Sequence, residues 1–204
     1  EMSDLGAALV EPLSTGTHAV RMAGDLTGKS VAILGCGTIG LLTMIAARAS
    51  GADKVVVTDL LDHKRERALR LGADAAIDAS GDVAAEVRAA LGGRADVTFD
   101  CVTNQASLEQ AMVIANKGGT IIIEGIPTVN VQLDLLLVQD RELRIEGVLM
   151  YTAEDYRRSI ELISAGLVPI DEVVTAKYGL EQAQEAFDAA QTGENVKVHM
   201  VFDG

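Results

Sequence analysis

The residues best placed to do chemistry are six in a row: Gly35, Cys36, Gly37, Thr38, Ile39 and Gly40. They follow an apolar run and open a helical pattern, in the order G-x-G-x-x-G. That order suits one task, bringing bare backbone amides against a diphosphate. Gly35 permits a tight turn out of a strand. Gly37 lets the ligand approach the backbone, and Gly40 lets the helix pack closely on the sheet. The amides at the helix start, with the helix dipole, offset the anionic charge. Taken alone, the motif also reads as a tight strand-to-helix turn with no ligand.

A second group sharpens the reading. Asp59 stands 19 residues after Gly40, at the end of the next apolar run. A carboxylate there accepts hydrogen bonds from an adenosine ribose and repels a 2′-phosphate. It points to NAD rather than NADP. An Asp capping the following helix is the alternative. Leu60 follows it beside the same cleft. Of the nearby bases, Lys64 is read as a ribose contact and Arg65 as solvated.

The elements that must position these groups alternate. Short β-type runs at 30–34, 54–59, 75–78, 95–101, 120–127 and 142–150 are separated by helical patterns at 38–50, 60–72, 82–93 and 104–119. The early runs are unbroken Val/Ile/Leu/Ala stretches, as expected for parallel strands buried on both faces. Six such runs before residue 151 predict an α/β Rossmann fold: a doubly wound, six-stranded parallel sheet with helices on both faces. Two helices, 152–166 and 180–193, and a last β run, 196–202, follow. Residues 4–23 read as a helix interrupted at Pro12. The whole of 1–204 reads as one nucleotide-binding domain.

Composition narrows the function. Net charge is −13 and only 3% of residues are aromatic, with no Trp. Such a surface repels phosphate backbones and anionic lipid, which argues against nucleic acid and membrane as partners. The longest apolar stretch without a charge, 31–47, is shorter than the ~20 apolar residues of a membrane span and contains three glycines. Two cysteines without metal-type spacing read as reduced thiols of a cytoplasmic protein.

The order VEPLSTGTHAV, GKSVAILGCGTIG, VVVTD, RALRLGADAAID, DVTFDC, GGTIIIEGIP, VKVHMVF resembles the medium-chain, zinc-dependent alcohol and polyol dehydrogenases. The sorbitol dehydrogenase branch is nearest, with threonine dehydrogenases close by. The resemblance runs along nearly the whole chain. It implies hydride transfer between a secondary alcohol or polyol and NAD, with zinc polarising the alcohol. It also implies a separate catalytic domain supplying most zinc ligands, with residues 1–23 and about 194–204 bordering it. This sequence contains no G-H-E segment, so no catalytic residue is expected here and the chain alone is expected to be inactive.

By the same resemblance, Glu11 matches a zinc ligand or a carboxylate on zinc-bound water, and otherwise is a helix-terminal surface acid. Thr15 matches a residue packed on the nicotinamide, and otherwise bonds its own backbone. Cys101, Val102 and Thr103 line the cleft; Gly125, Ile126, Val148 and Met150 offer backbone groups to the carboxamide. Cys36 and Cys101 also serve simply as small apolar fillers. Lys197 matches a base near the pyrophosphate, or is a solvated strand-end Lys. Members commonly form homo-oligomers by pairing late strands, and the apolar patterns at 132–138 and 143–150 suit that. A zinc-free relative of quinone-reductase type is the alternative family; a non-catalytic module that binds NAD or dimerises is a third reading.

Overall fold

The computed structural model describes residues 2–202. Six strands form one all-parallel sheet: β1 (Ser30–Leu34), β2 (Lys54–Asp59), β3 (Ala75–Asp78), β4 (Ala95–Asp100), β5 (Ala115–Ile123) and β6 (Arg144–Gly147). Their spatial order is β3-β2-β1-β4-β5-β6. The order reverses between β1 and β4, so the crevice outside their carboxyl ends is where this architecture takes ligands.

Both faces of the sheet are covered. On one lie α1 (Asp4–Ala23), α2 (Thr38–Ala49), α3 (Asp62–Arg70) and α7 (Ala153–Ser164); on the other, α4 (Val83–Leu91), α5 (Gln105–Ile114) and α6 (Leu135–Asp140). Two aliphatic cores result. Ile33, Val55, Val57, Val97 and Phe99 face the first. Ala32, Leu34, Val56 and Ile121 face the second. Alternate residues of one strand thus enter opposite cores, which is why these strands read as unbroken apolar runs.

The chain then forms α8 (Ile170–Val173), β7 (Val174–Gly179), a 3-10 turn at Leu180–Gln182, α9 (Ala183–Gln191) and β8 (Lys197–Val201). β7 and β8 pair in parallel as a separate two-stranded sheet. None of the helices among the described residues is long and apolar enough to cross a membrane.

Four expectations need correction. α1 runs unbroken through Pro12. Pro12 leaves the Ala8 carbonyl without its intrahelical donor, a cost of roughly 3 kcal/mol. Full burial of Leu9 and Leu13 on either side holds the helix together. The helix expected over 104–119 stops at Ile114. Arg94 and Arg141 donate to its free Val113 carbonyl, and Arg141 also to Met112 at 3.1 Å. These guanidiniums end the helix in place of the Gly-Gly pair. The last expected strand of the sheet is short, Arg144–Gly147 rather than 142–150. Finally, α3 begins at Asp62, and Arg65 on it is anchored rather than solvated: it donates to the Asp59 carbonyl at 2.8 Å and pairs with Asp62 and Asp78.

Candidate functional site: a crevice at the sheet's carboxyl edge

The strand ends are tied to one another past the last ladder pairs. Gly35 donates its amide to Thr58, Cys101 to Leu34, Gly125 to Asp100 and Val148 to Ile123, all at 2.8–3.0 Å. The turns after β1, β2, β4, β5 and β6 are therefore fixed in one row. On those turns and the helix starts beside them stand Gly35, Gly37, Thr38, Ile39, Gly40, Asp59, Leu60, Lys64, Cys101, Val102, Thr103, Gly125, Ile126, Val148 and Met150.

Two glycines are dictated by space. A Cβ on Gly40 would lie 1.9 Å from the Gly35 carbonyl oxygen, and one on Gly35 would lie 2.8 Å from Val102. Gly35 also has φ +92°, where side chains are strained. The α2 start is thereby pulled onto the β1 end. A Cβ on Gly37, by contrast, would meet nothing within 4 Å. Gly37 is the N-cap of α2 and offers no side chain to cap it. The Thr38 and Ile39 amides have no protein acceptor among the described residues. An uncapped helix start facing open space is what an anionic diphosphate requires. The residues present fit the dinucleotide implied by the motif.

Asp59 holds the loop in shape. Its Oδ2 accepts the Cys36 amide at 2.9 Å and its Oδ1 the Leu61 amide at 3.0 Å. It therefore makes a two-residue turn rather than capping α3, whose N-cap is Leu61. Beside it opens a cleft of about 270 Å³ lined by Gly35, Thr58, Asp59, Leu60, Val102 and Ser107, among others. Arg65, the nearest guanidinium, is occupied by Asp62 and Asp78.

The floor between β4 and β5 carries two buried acids whose side chains sequence reasoning gave no role. Asp100 accepts the Val102 and Thr103 amides at 3.0 and 2.8 Å and the Ser107 hydroxyl at 2.9 Å. It holds Thr103 at φ +52°, an uncommon backbone for a β-branched residue. Burial pushes the Asp100 carboxyl up, against these hydrogen bonds. Glu124 is only 6% exposed. Thr43 of α2 donates to its two oxygens at 2.9 and 3.0 Å, and the Cys101 thiol donates to Oε2 at 3.2 Å. Burial raises its carboxyl to about 7, with the Cys101 and Thr43 bonds holding it down. The signal for both was a lone acid closing an apolar run.

Both thiols are unpaired and poor nucleophiles. Burial and the neighbouring Asp59 carboxylate push Cys36 up to about 12. Burial and Glu124 push Cys101 well above its ordinary value. Thiolates, not thiols, react.

Three residues named from sequence sit apart from these strand ends. Glu11 is exposed in mid-helix on α1, not at a helix end, and accepts a bond from the Tyr151 hydroxyl at 3.4 Å. Thr15 is half-buried on α1; its neighbours Ser14 and Thr17 are the ones that bond back into the helix. Lys197 opens β8, which reaches the α2 start through a bond from the Thr38 hydroxyl to the Val196 carbonyl. Thr38 thus contacts protein through its side chain. No group of three His, Cys, Asp or Glu side chains among the described residues is arranged to hold a metal ion.

A larger cleft, about 470 Å³, opens between α1, α2 and α7 at the C-terminal ends of the first two. Its walls mix Arg21, Arg157 and Arg158 with Asp25, Glu154 and Glu161, and it includes none of the glycine loop.

An uncapped glycine loop and an acid at the switch point of a 3-2-1-4-5-6 parallel sheet define a dinucleotide-binding Rossmann domain. Comparison with known proteins makes this specific. The family model for zinc-binding dehydrogenases matches residues 38–165. The chain is 34% identical over 200 residues to sheep sorbitol dehydrogenase, covering 96% of this chain and 56% of that one. Among solved structures, 2R,3R-butanediol dehydrogenase from Bacillus subtilis superposes with a TM-score of 0.92 at 29% identity, over 98% of this chain and 58% of that one. A zinc-binding dehydrogenase from Sinorhizobium meliloti, bound to NADP, gives 0.89 at 30% identity, over 98% and 60%. The chain belongs to the zinc-binding dehydrogenase family, and it spans little more than half the length of these relatives.

Proposed function

We propose that this chain binds NAD(H) across the crevice and presents it to a zinc-dependent dehydrogenation of a secondary alcohol or polyol. Residues 1–204 act as one nucleotide-binding domain in this reading. The uncapped start of α2, held against β1 by the Gly40–Gly35 contact, carries the proposal. Thr38 and Ile39 amides take the pyrophosphate, and Lys197 lies on the same side through the Val196–Thr38 bond. Asp59, Leu60 and Lys64 take the adenosine ribose. Cys101, Val102 and Thr103 line the adenosine and nicotinamide-ribose side, and Gly125, Ile126, Val148 and Met150 hold the carboxamide, with Thr15 on the nicotinamide face. The cofactor supplies a hydride acceptor; this chain's residues bind it, orient it and exclude the wrong phosphate. Asp59 favours NAD over NADP, and Arg65, spoken for by two carboxylates, is not free to attract a 2′-phosphate. The partner in the reaction is a small alcohol or polyol.

Glu11 is the single residue offered to zinc, and one carboxylate does not hold zinc alone. The remaining ligands therefore lie outside the described residues. Two unpaired thiols suit the reducing cytoplasm. The open edge of β6, with Leu135 and Leu136 more than two-thirds exposed beside it, supports a homo-oligomer; a monomeric mass by light scattering at high concentration would refute that part. Titration with NADH and NADPH, followed by nicotinamide fluorescence, tests the core of the proposal. We expect saturable NADH binding and at least tenfold weaker NADPH binding. No binding of either would overturn it. With NAD, zinc and a panel of polyols, the 204-residue chain should produce no NADH absorbance.

A further inference from the structure

Glu124 has no role in holding the dinucleotide as described, yet it is a buried carboxyl immediately before Gly125 and Ile126. Its surroundings are unusual in what they lack. From α2 it meets the neutral Thr43 hydroxyl; from β4 it meets the Cys101 thiol. Asp100 lies one residue from Cys101 and takes the Glu124 amide on its carbonyl at 3.0 Å. Cys36 stands behind Cys101 in the glycine loop. The titratable side chains of α1 are turned elsewhere: His18 to Asp155 and Glu11 to Tyr151. No lysine, arginine or histidine among the described residues contacts the Glu124 carboxyl. A charge there is balanced by no cation among the described residues.

A bound nicotinamide would change that. The oxidised ring is cationic and the reduced ring is neutral. We propose that Glu124 is a positioning residue that sets the crevice's preference between oxidised and reduced cofactor, its ionised form favouring NAD⁺ and its protonated form favouring NADH. The inference rests on the reading that the nicotinamide half lies over the β4 and β5 ends. The attraction is through space in a low-dielectric floor, where a single charge acts strongly over several ångströms. By linkage, NAD⁺ binding draws the proton off Glu124 into solvent, and NADH binding does not. Burial already places the carboxyl at about 7, so the exchange falls in an accessible range. The flanking thiols, raised by burial, stay protonated across it.

The test measures Kd for NAD⁺ and for NADH from pH 5.5 to 8.5, on the chain and on Glu124→Gln. We expect the ratio of NAD⁺ to NADH affinity to rise about threefold or more with pH, and Glu124→Gln to bind both cofactors with a flat ratio. Thr43→Val, which removes a donor to the ionised form, should move the midpoint to higher pH. Proton release on NAD⁺ binding, read with an indicator in weak buffer at pH 6.5, needs no variant. Binding of both cofactors with a flat ratio in the unmodified chain would overturn the inference and leave the cofactor reading standing. So would a pH dependence that survives in Glu124→Gln. If neither cofactor binds at any pH, the cofactor reading falls and the inference falls with it.

Discussion

The seam between α1 and α7 and the floor of the crevice each bury a carboxylate, and they treat it in opposite ways. At the seam, the Asp155 side chain is 1% exposed. Burial alone would raise it. Instead Arg21 bonds it at 2.6 and 3.2 Å, the Thr152 amide and hydroxyl at 2.8 and 2.7 Å, and His18 at 2.9 Å. These donors hold it well below the usual carboxylate range. On the crevice floor, Glu124 finds only a hydroxyl and a thiol, and burial wins. A cation in contact decides whether a buried acid is a fixed charge or a titrating one. The seam, locked by charge, serves as a frame. The crevice, built from glycines, amides and neutral donors, keeps its charge free to respond to a ligand.

If the crevice depends on shape, a single methyl group should destroy it. Gly40→Ala sets a Cβ 1.9 Å from the Gly35 carbonyl oxygen, a rigid atom against fixed backbone. We expect NADH affinity to fall more than about a hundredfold, with a loss of about 3 kcal/mol or more in urea unfolding. Native-like affinity would mean that α2 can move off β1. If the seam depends on charge, Asp155→Ala should cost about 2–4 kcal/mol, because Arg21, His18 and the Thr152 amide lose their acceptor. NADH affinity should change little. Thermal unfolding against cofactor titration separates the two regions.

The contrast also has a pH form. Asp155 is depressed in the fold, so its contribution is present above the unfolded carboxylate value near 4 and disappears as pH falls below it. Glu124 is raised to about 7 from 4.5. Its contribution is present below about 4.5 and is lost as pH rises to about 7. Glu124→Gln should therefore be more stable than the parent at pH 8, by on the order of 1–3 kcal/mol, and nearly equal to it at pH 4.5. Denaturant midpoints at the two values check this. An equal effect at both would show that the carboxyl does not titrate in the fold.

Much of the frame was legible from local pattern. The runs 30–34, 54–59 and 75–78 are strands with those bounds; the first two are apolar at their centres because inner parallel strands are buried on both faces, while 75–78 is a half-buried edge strand. The G-x-G-x-x-G spacing marked the crevice because its glycines answer to short-range geometry. What escaped was set by distant partners. Arg94 and Arg141 ending α5 lie far from it in sequence, as does the pairing of β7 with β8 across α9. Arg65 looked solvated because Asp78 is thirteen residues away along the chain. The Glu124 side chain was given no role because its neighbours, Thr43 and Cys101, come from two other elements. A buried titrating group is a property of what surrounds it, and one sequence window does not contain its surroundings.

The smallest expected effect lies at Asp59, where the two modes of the crevice meet. Its carboxylate is structural toward the Cys36 and Leu61 amides and, in our reading, selective toward the ribose. Asp59→Ser removes both functions, so any loss of NADH binding would be ambiguous. Asp59→Asn separates them. The amide oxygen still accepts one backbone N–H and the loop keeps part of its anchor, while the negative charge that repels a 2′-phosphate is gone. We expect Asp59→Asn to weaken NADH binding by about threefold and to improve NADPH binding by about the same factor, roughly 0.6–0.7 kcal/mol each. Arg65 gains nothing to attract a phosphate, since Asp62 and Asp78 still hold it. A further Asp78→Asn, which frees one side of that guanidinium, should add a second increment for NADPH only. If NADPH binding is unmoved by both changes, selection against the 2′-phosphate is steric, and the charge at Asp59 serves the loop alone.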